Sequence, residues 1–171
     1  MIVLRRLIEI LLLGVLLTSE NSQAEPLPAG LVVPIMLKLV SLEDNLSQQD
    51  EITIQVIGRD DVADIAKARV GYAVGNAKLG AVTMADGMPK TAPDVIFAAK
   101  LSDAALAQLV EYCRQHNVVL IGEQPELINK GLALVLFNDE GVPGVLLNLA
   151  KSKQHQLRWH PDVLNVVTVV D

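Results

Sequence analysis

Two hydrophobic periods alternate along this chain, and their alternation sets the fold class. Glu51 to Ile57 (EITIQVI) switches between polar and apolar through its first six residues, as a strand with one covered face does. Leu79–Met84, Asp94–Ala99 (DVIFAA), Val118–Ile121, Leu132–Phe137 and Val145–Leu149 are further strand-length runs. The central ones are apolar on both faces. Between them the period lengthens. Leu106, Leu109, Val110 and Cys113 fall at i, i+3, i+4 and i+7, one face of a helix over Asp103–His116 with Ser102 as its cap. Val62, Ile65 and Ala66 mark a shorter helix, with Asp60 and Asp61 as N-cap candidates. Leu31–Leu46 is expected to be helical with Pro34 in its first turn, and Pro125–Asn129 forms a short helix. Gly58 ends the first strand, and Asp139-Glu140-Gly141 is a hairpin signal. The expected architecture is therefore α/β: a single domain with a mostly parallel twisted sheet flanked by helices, and a C-terminal antiparallel hairpin at one edge.

The start of the chain follows a different logic. Arg5 and Arg6 precede an apolar run, Ile10–Leu17, and Ser22-Gln23-Ala24 places small residues at the −3 and −1 positions of a cleavage site. That run is too short for a membrane span, which needs about 20 apolar residues. Residues 1–24 therefore read as a secretory signal peptide cleaved after Ala24, leaving an exported domain over 25–171. No cysteine stands near Ala24 to carry a lipid.

Charge and composition narrow the partners. The leader carries two arginines and two glutamates, so the net charge of −6 survives its removal. No cluster of Lys or Arg appears, which argues against nucleic acid and anionic membrane surfaces. Aromatics at 3% argue against ligands held by ring stacking. Cys113 is the only cysteine, so no internal disulfide forms, and its place on a helix face marks it as a buried small hydrophobe.

Catalytic patterns are missing. His116, His155 and His160 lack the spacing of a helical metal pair, and no set of ligands completes them, so no metal is expected. His116 suits the negative end of its helix. His155 and His160 flank Trp159 in a C-terminal segment expected to be exposed. No G-x-S-x-G occurs, and Asp60, Asp61 and Asp64 suit a helix's first turn. Neither an enzyme nor a cofactor is expected.

Two surfaces remain. Ligands of open α/β sheets bind beyond the carboxyl ends of the strands. Here those ends carry Gly58, Arg59 and Asp60, then Lys100 and Ser102, then Gly122 and Glu123. The other surface is Arg158-Trp159-His160, since Trp and Arg are enriched among interface hot spots. The competing reading of Trp159 is that it folds back over the core.

Residues 118–150, VVLIGEQPELINKGLALVLFNDEGVPGVLLNLA, resemble the closing half of the YfiR-like family: strand, short helix, glycine, hairpin, then an apolar–Asn–Leu junction into a helix. LKLVSLEDNLSQQDEITIQVIG is similar to its first helix and strand, and DVIFAAKLSDAALAQLVEYCRQHNVVLIG to its middle strand–helix–strand. The resemblance implies a small periplasmic, non-enzymatic regulatory protein. Its implied partner is a membrane signalling protein, a diguanylate cyclase of cyclic-di-GMP signalling, contacted through its periplasmic sensor domain. A homodimer is implied as well. Two departures stand out. The best-known members carry paired cysteines, and their first helix is aromatic and ends in Trp-Pro where this chain has Leu42–Leu46 (LEDNL). The alternative function is a small-ligand (solute) binding module that uses the carboxyl-end rim of the sheet.

Overall fold

A computed structural model describes residues 25–171, so the expected signal peptide and its cleavage site lie outside the described residues. In chain order the elements are α1 (Ala29–Val40), β1 (Glu51–Ile57), α2 (Asp60–Lys67), β2 (Ala73–Val74), β3 (Ala77–Met84), β4 (Val95–Ala98), α3 (Asp103–His116), β5 (Val119–Gly122), β6 (Leu134–Asp139), β7 (Val142–Asn148), α4 (Leu149–Gln154) and β8 (Thr168–Val170). Short 3₁₀ helices occupy Leu46–Gln48, Pro125–Lys130 and Pro161–Asn165.

Among the described residues the strands form one eight-stranded sheet in the order β2-β3-β1-β4-β5-β6-β7-β8. The run β3-β1-β4-β5-β6 is parallel throughout. Its central strands are apolar on both faces because both faces are covered. Val95 and Phe97 of β4 join Val119 and Ile121 of β5 in one core, beneath Val32, Val33 and Met36 of α1 and Val62 and Ala66 of α2. Ile96, Ala98 and Leu120 point the opposite way, into a second core with Leu106, Leu109 and Cys113 of α3. Cys113 is fully buried, and burial pushes its thiol up to about 12.

Local chemistry fixes the turns. Asn138 Oδ1 accepts from the Gly141 N–H (2.7 Å), and Glu140 and Gly141 both have positive φ, the geometry of a two-residue hairpin loop. Ser102 accepts from the Ala105 N–H at 3.3 Å, as its capping role requires. Asn148 does the same for α4, accepting from Lys151 N–H at 2.7 Å.

The structure corrects several local expectations. α1 starts at Ala29, two residues early, so Pro34 lies in its second turn, where it lacks the N–H that would bond Gly30. The helix stops at Val40: the Ser41 N–H still bonds Leu37, four residues back, but those of Leu42 and Glu43 bond only three back. Arg59, not an aspartate, is the N-cap of α2, with Asp60 and Asp61 in the first turn. β2 and β8 add strands that the hydrophobic pattern does not announce. β8 pairs parallel to β7, so the hairpin lies one strand in from the edge. His155 is buried, not exposed, because it caps the C-terminus of α4 on its inner side.

Candidate functional site at the switch point of the sheet

The order β3-β1-β4 means that the chain leaves β1 toward one side and later returns on the other. A crevice opens at such a reversal beyond the carboxyl ends of the strands, where this fold class takes its ligands. β1 leaves that crevice through Gly58, whose φ is +78°. A Cβ there would stand 2.3 Å from the Ala99 carbonyl oxygen, so only glycine lets the two strand exits come this close. Gly122, the last residue of β5, makes room for two side chains, since a Cβ would lie 2.6 Å from Leu132 Cδ2 and 2.8 Å from Leu127 Cδ1.

Arg59 fills the crevice. Its Nε and Nη2 donate to the two carboxylate oxygens of Asp61, at 2.7 and 2.8 Å, as a bidentate fork. Nη2 also reaches the Leu27 carbonyl at 3.1 Å, and Nη1 donates to Glu123 Oε1. The Arg59 and Glu123 side chains are only 8% and 7% exposed, whereas Asp61 is 56% exposed. Hydrogen bonding to Asp61 raises the Arg59 pKa and lowers that of Asp61. Burial pushes the Glu123 carboxyl up against the opposing pull of Arg59. The guanidinium is thus spent on the protein's own oxygens, and an incoming anion would have to displace them.

The residues expected at the rim fall into three groups. Arg59 and Glu123 meet directly. Lys100, Ser102 and Glu123 line an open cleft of about 690 Å³ beside the crevice, together with Pro26 and Gln124. Lys100 holds a φ of +57°, unusual for a bulky side chain. Gly58 and Gly122 only make room, and Asp60 stays exposed in the first turn of α2, outside the cleft. Among the described residues no three His, Cys, Asp or Glu side chains converge as metal ligands.

A second locus lies at the opposite end of the strands. Glu43 is buried, and its carboxylate accepts from Asn45 Nδ2 (2.9 Å), Leu46 N (2.8 Å) and Arg158 N (2.8 Å). The neighbouring backbone bonds, Asp44 N–H to Arg158 and His160 N–H to Leu42, extend this seam. Trp159 is half-buried, packs against the larger core and donates from Nε1 to Ser152 Oγ at 3.0 Å, the folded-back arrangement. Arg158 and His160 are exposed beside it. Further along the chain Leu164, Val166 and Val169 are exposed apolar residues, the last of them on β8. Sequence reasoning missed Leu27, Asp61 as partner of Arg59, and Glu43. The acidic pair Glu43-Asp44 between Leu42 and Leu46 was the available signal for the last.

The profile of the YfiR/HmsC-like family matches residues 32–168, and the chain belongs to that family. A crystal structure of a conserved domain protein from Vibrio cholerae O1 biovar El Tor superposes with a TM-score of 0.53 at 13% identity, covering 84% of this chain and 60% of that one. The chain therefore spans less than two thirds of that relative, and the likeness is one of fold alone. No curated protein matches the chain.

Proposed function

We propose that this member of the YfiR/HmsC-like family is an exported, non-enzymatic regulator that acts by protein contact in the periplasm. It would hold the periplasmic sensor domain of a membrane-bound diguanylate cyclase and keep cyclic-di-GMP synthesis low. Family membership supports this reading. The structural observation that carries it is the self-filled switch point: Arg59, Asp61, Glu123 and Leu27 satisfy one another where an enzyme of this fold class would keep groups free for substrate. The surface offered to the partner is Arg158 and His160 with the exposed face of Trp159, continued by Leu164 and Val166. The outer edge of β8 would pair two copies as a homodimer.

The test is photocrosslinking in intact cells, with a photoreactive residue at His160 or Leu164. Capture of one membrane protein with a periplasmic domain supports the reading, and no envelope protein at either position contradicts it. A second reading is favoured by the open cleft at Lys100, Ser102 and Glu123, whose volume suits a small solute. Thermal shift against amino acids, nucleotides and oligopeptides tests it, and stabilisation by none of them removes it.

A further inference from the structure

The C-cap of α4 is a histidine with no favourable place for a second proton. His155 is 2% exposed, and its Nδ1 is buried without a hydrogen-bond partner. The charged groups that face it are Lys151 on its own helix and Arg114 and Glu111 on α3. Glu111 already accepts from Arg114 Nη2 and Nε, at 2.6 and 2.8 Å, and from Gln115 at 2.7 Å. A charged ring would therefore meet burial and two cations, with the facing carboxylate already claimed. Burial first, then Lys151 and Arg114, lower the His155 pKa from its ordinary 6.5, against a smaller opposing pull from Glu111.

The seam to Glu43 begins immediately after this residue. Gln156 turns the chain with a φ of +60°. Leu157 N–H then bonds the Ser152 carbonyl at 2.9 Å, Arg158 N–H bonds Glu43, and Trp159 bonds Ser152.

We propose that His155 is an acid-sensitive latch: protonating its ring undocks Gln156–His160 from Glu43 and Ser152 and dismantles the surface that carries Arg158 and His160. The sign follows from linkage. The docked form keeps the ring neutral while the undocked ring takes a proton near its ordinary pKa. Docking is at full strength above that value and weakens as pH falls below it. The biological consequence rests on the regulatory reading above, since outside acidity reaches an exported protein. The latch itself is testable on the purified protein alone.

Trp159 is the only tryptophan and reports on this segment. Its emission and quenching by acrylamide would be followed from about pH 8 to about pH 5 in the wild type, His155→Phe, His155→Gln and His160→Ala, the last removing the neighbouring exposed histidine as a control. The expected wild-type result is a red shift with greater quenching, the docking equilibrium moving about tenfold per pH unit as one proton requires. Both His155 variants should lose the transition and His160→Ala should keep it. A wild type without a transition, a transition that survives in a folded His155 variant, or its loss in His160→Ala overturns the latch. Failure of envelope crosslinking with an intact latch would remove the regulatory reading alone.

Discussion

Replacing Arg59 with methionine tests how much the fold depends on the filled crevice. Methionine keeps the unbranched apolar stem but ends about where Nε stands, and it removes all the donors. Glu123, 7% exposed, loses its countercharge, and the buried Leu27 carbonyl loses the Arg59 Nη2 contact. Asp61 is 56% exposed and regains water, so its share is small. Breaking one side of a buried pair typically costs about 3–5 kcal/mol. A domain of this size has about 5–15 kcal/mol in total and shifts in Tm by about 2–4 °C per kcal/mol, so a drop of about 6–20 °C is expected. Part of the loss is recoverable by acid. An unpaired Glu123 has a folded pKa raised by burial, so the folded state binds the proton more tightly than the unfolded chain. Stability of Arg59→Met should therefore rise as pH falls from the raised value toward the ordinary glutamate range. Adding Glu123→Gln removes the buried charge and should restore much of the loss. Urea unfolding of the two singles and the double, at neutral and mildly acidic pH, supplies the readout. A single variant within about 0.5 kcal/mol of wild type, or a double no more stable than Arg59→Met, would refute the claim that this pair is a buried, mutually dependent unit.

Trp159→Ala removes a half-buried ring and its bond to Ser152, and should cost about 2 kcal/mol in urea unfolding, roughly half the usual loss for a fully buried tryptophan. A negligible loss would free the whole ring for the partner. Cys113, with its thiol raised to about 12, should resist a thiol reagent in the folded protein and react on denaturation. Modification of the native protein at the rate of a free thiol would contradict its burial. Gly58→Ala and Gly71→Ala both strain a positive φ, but only the first drives its Cβ into a carbonyl, since nothing lies within 4 Å of the second. Gly71→Ala should cost about 1–2 kcal/mol and Gly58→Ala clearly more, read as the difference in their melting temperatures.

Much of this fold is written in local pattern. Alternation in EITIQVI gives β1 from Glu51 to Ile57, the i, i+3, i+4, i+7 face gives α3, and Glu140-Gly141 gives the loop between β6 and β7. What escaped depends on partners far away in the chain. β8 is three residues that become a strand only because the edge of β7 is free beside them. Glu43 is buried because Arg158, 115 residues later, supplies one of its three N–H donors. The positions of the rim residues were legible, since each lies at or just beyond the end of a strand. Their meaning was not, because Arg59 looks like a ligand-binding cation until Asp61, Glu123 and Leu27 are seen to occupy it. The same holds for His155, whose polarity suggests a surface that α4 and α3 cover.

The most direct test of the regulatory account is cellular cyclic-di-GMP in a strain lacking this gene, complemented with either the full chain or residues 25–171 without the leader. The account predicts a rise on deletion that the full chain reverses and the leaderless chain does not. An unchanged level after deletion, or equal rescue by the leaderless form, would contradict it.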